Sequence, residues 1–293
     1  MNTAFITKID SGFKIENSSL KVNGRNFPLR LLEMIIITDD VVVNSKDMLK
    51  LSRENISILF ISKDSKHFSL CLPLIAKNSD LKASQYRALE DRQGIAKSIV
   101  YQKISNHAES LKKYDFDLDI YPFVEEIKRC LNIEELLSIE GRFAKNYFDR
   151  YFSIFPKNIT KGFRSKNPPL DIVNSLMSYI YTIFYHTITA KLYIAGFEPS
   201  ISYLHTPFRS HYALSSDILE FFRSDINDFV ASEFLNKHLT SEDFSKSSNG
   251  GIYLKFEARR ELWKRLSLFM REKEKDLKVI IANFKKSIAK SIE

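Results

Sequence analysis

Glu140 sits where a charged side chain is not expected. In Leu136-Leu137-Ser138-Ile139-Glu140-Gly141-Arg142-Phe143-Ala144-Lys145-Asn146-Tyr147-Phe148, helical spacing places it on one stripe with Leu137, Ala144, Tyr147 and Phe148. Removing an ionised carboxylate from water costs on the order of several kcal/mol unless a metal ion, a cation or a shared proton compensates it. The chemistry to look for elsewhere in the chain is therefore whatever completes this carboxylate.

Asp217 and Glu220 stand three residues apart and project from one face of a helix, while Ile218, Leu219, Phe221 and Phe222 cover much of the remainder. His205 closes the turn-rich passage that opens at Gly196, and lies a short way before Asp217. Two carboxylates and an imidazole near one helix make a donor set for Mg²⁺ or Mn²⁺, since hard cations take oxygen and Mn²⁺ also accepts nitrogen. Asp217-x-x-Glu220 reads equally as a capping box, with Asp at the N-cap and Glu at N3. His211 competes with His205 by proximity, and His186 sits mid-helix among apolar residues, the usual setting of a hydrogen-bonded core histidine. His67, His107 and His238 lie in polar contexts that mark them for nothing.

The elements that must bring these residues together change character along the chain. Phe5 to Ile9, Phe13 to Glu16, Leu20 to Val22, Met34 to Ile37, Val41 to Val43, Ile56 to Ile61 and Phe68 to Leu74 are short apolar or alternating runs that predict strands. Asn23-Gly24 supplies the positive φ angles of a tight hairpin, and Ser45 to Arg53 predicts one helix among the strands. From Leu81 onward the apolar period is helical, over about 82–113, 121–129, 133–155, 169–195, 212–235 and 255–290. Pro168-Pro169 can begin a helix but not continue one, and Gly196 fits a left-handed C-terminal cap. Ser245 to Gly251 reads as a loop between helices. The expectation is an α+β chain: a small β domain over 1–77, then a larger all-α catalytic domain over 78–293.

The 44% hydrophobic content across 293 residues is ample for a packed core. A net charge of +8 suits a polyanionic partner, and residues 255–293 hold 12 Lys and Arg against 6 Asp and Glu. There Arg259, Arg260, Lys264 and Arg265, interleaved with Leu262 and Trp263, form either a second basic cluster or the charged face of an amphipathic helix. Cys71 and Cys130 have no paired spacing, which excludes a disulfide framework and a zinc knuckle and leaves two core thiols. Leu176 to Phe197 is apolar but carries Tyr179, Tyr181, Tyr185, His186, Thr187, Thr189 and Lys191, so a buried helix is expected and not a membrane span. The N-terminus lacks the basic and then apolar blocks of a signal peptide, which predicts a cytoplasmic protein.

Several of these passages, in order, resemble the CRISPR-associated adaptation integrase family, the metal-dependent nuclease and integrase counted first among the Cas proteins. Ile139-Glu140-Gly141 with Ala144 and Tyr147-Phe148 is similar to its glutamate motif. Phe163-Arg164 followed by Asn167-Pro168-Pro169-Leu170-Asp171 and Ser178-Tyr179 resembles its proline-led helix. Gly196-Phe197-Glu198-Pro199 to Leu204-His205 resembles its histidine motif, and Leu214 to Asp217 with Glu220 and Phe222-Arg223 its acidic helix. Gln85-Tyr86-Arg87-Ala88 is similar to the start of its first long helix, and Phe27-Pro28-Leu29 before Ile35 to Ile37 fits its β domain, so the likeness spans nearly the whole chain.

The resemblance implies that Glu140, His205 and Glu220 are ligands of Mg²⁺ or Mn²⁺, with Asp217 an adjacent acidic residue of the site. Relatives often carry aspartate at the third acidic position, which leaves open whether Glu220 or Asp217 is the direct ligand. It implies strand transfer, in which the 3′-hydroxyl of a short DNA fragment attacks a phosphodiester at a CRISPR repeat. Arg142, Lys145, Arg164, Lys166, Arg209 and Arg223 lie near the proposed site in sequence and are candidate phosphate contacts. Prespacer DNA, the repeat, a second copy joined through the β domain and the small second adaptation protein are the implied partners. A structure-specific nuclease without integration and a non-catalytic nucleic-acid-binding scaffold are the competing readings.

Overall fold

The computed structural model describes residues 3–6, 9, 12–63, 67–74, 78–206 and 211–290. Strands β1 (Thr3–Ile6), β5 (Met34–Ile37), β6 (Ser57–Ile61) and β7 (Phe68–Cys71) form one sheet in the order β1-β5-β6-β7. The first two pairings are parallel and the third is antiparallel. Between β1 and β5 runs an antiparallel meander of β2 (Phe13–Glu16), β3 (Ser19–Val22) and β4 (Arg25–Pro28). Its turns need residues that tolerate positive φ, and Asn17, Ser18, Asn23 and Gly24 adopt 48°, 54°, 49° and 70°. Helix α1 (Ser45–Arg53), capped by the Asn44 side chain accepting from the Asp47 amide, carries the chain from β5 to β6.

Period-two alternation divides the four-stranded sheet between two cores. Ile35, Ile37 and Ile58 pack with Phe13, Ile15 and Leu20 of the meander, whereas Met34, Ile36, Leu59 and Ile61 face the helices. β5 is thus buried on both faces, which explains its unbroken apolar sequence. Two strand expectations change. Val41 to Val43 is not a strand: it leads into the α1 cap, and Val42 is 90% exposed. Arg25–Pro28 is a strand despite its polar content, because the turn at Asn23-Gly24 folds it onto β3. Of the run predicted over Phe5 to Ile9, residues 7 and 8 lie outside the described residues.

The helical body comprises α2 (Ser79–Arg87), α3 (Arg92–Lys112), α4 (Tyr121–Arg129), α5 (Ile133–Ser153), α6 (Ile172–Ile194), α7 (Ala213–Leu219), α8 (Arg223–Leu235) and α9 (Phe256–Lys290). α6 is its centre, with most side chains buried all round. Asp171 caps its start by accepting from the Asn174 amide at 2.7 Å, so the helix begins three residues later than Pro169 suggests. Its end is a Schellman motif: the Gly196 amide bonds to Tyr193 and the Phe197 amide to Leu192, both at 3.0 Å. Gly196 adopts φ +92°, and a Cβ there would meet Asn78 Cβ at 2.7 Å. Among the described residues no helix is long and apolar enough to cross a membrane.

The passage read as a loop, Ser245 to Gly251, instead ends strand β8 (Phe244–Lys246) and forms the turn that pairs it with β9 (Ile252–Leu254) in a hairpin. It is held against the loop before α6 by the Ile252 amide bonding to the Pro169 carbonyl at 2.8 Å. The basic cluster of α9 divides: Arg260 and Lys264 are exposed, while Arg259 and Arg265 turn inward. Arg259, 1% exposed, donates to the Ser62, Lys63 and Leu254 carbonyls, and Arg265 clasps the buried carboxylate of Glu233. Cys130 is buried, whereas Cys71 is half-buried.

Candidate active site

The face of α5 read from sequence lines a cavity of about 210 Å³. Leu137, Glu140, Phe143, Ala144, Tyr147 and Phe148 supply one wall. The deepest residues of α5 are Leu136, Phe143, Tyr147 and Tyr151, so Glu140 stands at the edge of the buried face with its carboxylate in the cavity. Lys103 and His107 of α3, Tyr181 of α6, His205, Glu220, Arg164, Lys166 and Arg223 contribute to the rest. The structure therefore brings Glu140, His205 and Glu220 to one space from three separate segments.

His205 is fixed from behind by Asp217, which is fully buried. One oxygen of Asp217 accepts from the Tyr203 and Leu204 amides at 2.7 and 3.1 Å, and the other from the His205 amide and Nδ1 at 2.9 and 2.8 Å. Because a carboxylate accepts, His205 Nδ1 carries a proton, and Nε2 lies 3.6 Å from Glu220 Oε1. The capping-box reading is corrected here: α7 begins at Ala213, so Asp217 lies inside it and its side chain binds the preceding loop. That loop is braced by Gln85 of α2, which bonds both amide and carbonyl of Glu198, and by Arg92 on the Tyr203 carbonyl.

Glu220 occupies the turn between α7 and α8, where Asn106 of α3 bonds the Phe221 carbonyl at 3.1 Å. Lys103 Nζ lies 2.5 Å from Glu140 Oε1 and 2.6 Å from Glu220 Oε2. Arg223 Nε donates to Glu220 Oε1 at 2.8 Å. Burial alone would push the Glu220 carboxyl up, but Arg223, Lys103 and His205 together hold it well below the usual carboxylate range. Burial likewise opposes the charged form of Lys103, and Glu220 and Glu140 reverse this and push its pKa up. His107 donates Nδ1 to the Lys103 carbonyl at 2.7 Å; burial, with Lys103 beside it, lowers its pKa to about 3.

Tyr181 is packed between two guanidinium groups, Arg223 at 4.7 Å and Arg164 at 5.7 Å from its ring centre. Its hydroxyl bonds Asn227 Oδ1 at 2.5 Å; Asn227 Nδ2 donates to Tyr147, and the Asn227 carbonyl accepts from Tyr151. Arg164 is itself held by Asn174 Oδ1 at 2.8 Å and Ser178 Oγ at 3.0 Å, and Lys166 stands at the rim. Desolvation, with Arg223 and Arg164 nearby, pulls the Lys166 pKa down.

Of the candidate phosphate contacts, Arg164, Lys166 and Arg223 line the cavity. Arg142 is on the outside of α5, paired with Glu126 of α4, and Lys145 is exposed there without lining the cavity. Arg209 lies outside the described residues. Sequence reasoning missed Lys103, His107, Tyr181 and Asn227. For His107 a signal existed, since Ile104, Ala108 and Leu111 flank it at helical spacing and mark a buried face.

Two carboxylates, an imidazole and the basic side chains of Lys103, Arg164, Lys166 and Arg223 thus share one cavity, which defines a class: α+β proteins whose helical body holds a densely charged centre. The chain belongs to the family described as CRISPR associated protein Cas1, whose model matches residues 2–267. A relative from Thermodesulfovibrio yellowstonii, named CRISPR-associated endonuclease Cas1 1, is 26% identical over 284 residues, covering 90% of this chain and 89% of its own. Among solved structures, a Cas1 protein from Thermotoga maritima superposes with a TM-score of 0.89 at 21% identity, over 99% of this chain and 97% of that one. A casposase bound to an integration product gives 0.78 at 20% identity, over 92% and 82%. A Cas6-RT-Cas1–Cas2 complex gives 0.78 at 18% identity, over 98% of this chain and 35% of that one. These structural likenesses establish the shared fold.

Proposed function

We propose that the chain is a CRISPR adaptation integrase, a metal-dependent DNA endonuclease and strand transferase that inserts short DNA fragments into a CRISPR array. The observation that carries this reading is the convergence of Glu140, His205 and Glu220 on one cavity that Arg164, Lys166 and Arg223 also line. The donor set fits Mg²⁺ or Mn²⁺. Glu220 Oε2 is buried and meets the Lys103 ammonium at 2.6 Å, so the fold already uses this oxygen to hold a positive charge. As they stand, no three His, Cys, Asp or Glu side chains among the described residues are arranged to hold a metal. Lys103 takes the position between the two glutamates that such an arrangement would need.

Glu140, Glu220 and His205 Nε2 would be the ligands, and Asp217 would orient His205 without binding the metal. Bound there, the ion would lower the pKa of an attacking hydroxyl and neutralise charge developing on the phosphate. Arg164, Lys166 and Arg223 would hold the phosphodiester in the cavity, positioning it without reading sequence. The casposase bound to an integration product and the Cas6-RT-Cas1–Cas2 complex support DNA and the small second adaptation protein as partners; a second copy would pair through the β domain of residues 1–77.

Incubating the chain with a DNA fragment bearing a free 3′-hydroxyl and a supercoiled plasmid carrying the repeat tests the reading. Covalent joining that needs Mg²⁺ or Mn²⁺ and is lost in Glu140→Ala supports it. Cutting without joining supports a nuclease without integration. DNA binding with neither activity refutes catalysis and leaves a scaffold.

A further inference from the structure

Lys103 is the cation nearest to both glutamates proposed as ligands. It reaches them from α3, a helix that carries none of the three donors. Its side chain is 11% exposed, and that of Glu220 is 2% exposed. An ion bound by carboxylates sits about 2.0–2.1 Å from their oxygens in the case of Mg²⁺. An ammonium at 2.5 and 2.6 Å from oxygens of the same two groups occupies the space such an ion requires. An ion bridging Glu140 Oε1 and Glu220 Oε2 cannot be held there together with the ammonium, so binding in that seat requires Lys103 to leave.

Two carboxylates turned into one small cavity repel each other, and leaving a buried charge uncompensated is strongly unfavourable. Lys103 resolves this while the ion is absent. A lysine suits the task, because its point charge ends a flexible stem of four carbons that can swing without moving the backbone. The same cavity offers it little elsewhere to go: Arg164, Lys166 and Arg223 already crowd it with positive charge. A phosphate arriving there changes the balance by giving the displaced ammonium an anionic partner.

We propose that Lys103 is a resident counter-cation that holds the seat between Glu140 and Glu220 and yields it to the metal, more readily when a DNA phosphate enters the cavity. This rests on the metal-site reading above. It makes metal and DNA binding mutually reinforcing, since each removes an obstacle to the other. If the lysine-free arrangement makes up about one tenth of the molecules, apparent metal affinity is about tenfold below its intrinsic value.

The test is Mn²⁺ binding, followed by electron paramagnetic resonance, to wild type, Lys103→Met and His205→Ala, each with and without a short DNA duplex. Lys103→Met should bind Mn²⁺ about tenfold more tightly than wild type without DNA, and should lose most of the enhancement that DNA gives wild type. Equal or weaker binding by a folded Lys103→Met overturns the proposal. Should that variant not fold, wild type labelled with ¹³C at the lysine Cε carbons decides, with Lys103→Arg identifying the resonance. Saturating Mg²⁺ should shift the Lys103 signal, and an unmoved signal overturns the proposal. His205→Ala separates the two layers. If it binds Mn²⁺ like wild type, or if wild type binds none, the metal-site reading fails. If it loses binding while Lys103→Met gains none, only the role of Lys103 fails.

Discussion

Asp217→Asn makes the sharpest test of how the site is ordered. The Asp217 carboxylate accepts four hydrogen bonds, two at each oxygen, from three consecutive backbone amides and His205 Nδ1. An asparagine replaces one oxygen with a group that donates. If its nitrogen faced the Tyr203 and Leu204 amides, two buried donors would lose their acceptor, at about 1–3 kcal/mol each. If it faced His205, the imidazole could accept from it by moving its proton to Nε2, and only the His205 amide would be orphaned. The second arrangement is favoured, and it places a proton on the nitrogen that must face the metal. The variant should therefore fold, with stability lower by about 1–3 kcal/mol. Its Mn²⁺ affinity should fall about 10–100-fold, the range for loss of a ligand's orienting partner. Thermal unfolding and Mn²⁺ titration measure the two effects. Affinity within about twofold of wild type, at unchanged thermal stability, would refute the reasoning. Complete loss of binding, equal to that of Glu220→Gln, would make Asp217 a direct ligand.

Glu140→Ala and His205→Ala should each abolish strand transfer while keeping the fold and most DNA affinity; either one integrating at the wild-type rate would show the site to be elsewhere. Lys166→Ala should weaken DNA binding similarly for all sequences and reduce the slope of log affinity against log salt by about one unit, read by titration at several salt concentrations. Asn227→Leu removes a side-chain partner shared by the Tyr147 and Tyr181 hydroxyls, which keep Ser110 and Arg223 respectively, and should cost about 1–3 kcal/mol in chemical denaturation. The His107 pKa is lowered to about 3 in the fold, against an ordinary value of 6.5. The unfolded chain thus takes up the proton first as pH falls, and stability present above pH 6.5 is lost between 6.5 and about 3. His107→Gln should remove about 2 kcal/mol of the stability difference between pH 6.5 and 5, measured as denaturation midpoints against pH.

What sequence revealed and what it withheld divide along physical lines. Asn23-Gly24, the Gly196 cap and the change from period two to helical period are local effects, and the fold realises them where the residues stand. The polar strand Arg25–Pro28 and the hairpin of β8 and β9 depend on a turn that brings an edge to them, whereas Val41 to Val43 has β-branched residues and no pairing partner in the sheet order. In the site, Glu140 was legible because its neighbours on α5 are apolar. Lys103 was not, since a lysine in a helix with polar neighbours looks like any solvated charge until α5 and the turn after α7 close on it. Asn227 was hidden for the same reason: its partners Tyr147 and Tyr181 lie 80 and 46 residues away. Asp217 was recognisable as important but not in its role, because nothing local says that its oxygens reach backward to the loop.

The two-sided burial of β5 bears on how the molecule comes apart. Met34 and Ile36 belong to the core that contains α6, and Ile35 and Ile37 to the core under the meander. The switch from strands to helices near residue 78 therefore marks a change of architecture rather than a seam. Neither part can melt without stripping one face of the same strand, so heat should give a single transition, with calorimetric and van't Hoff enthalpies in agreement. A fragment of residues 78–290 would expose the helical face that the sheet now covers, and its helices should lose their fixed packing. Cooperativity of this kind lets four residues near the N-terminus stand surety for an active site built entirely from helices and loops far along the chain.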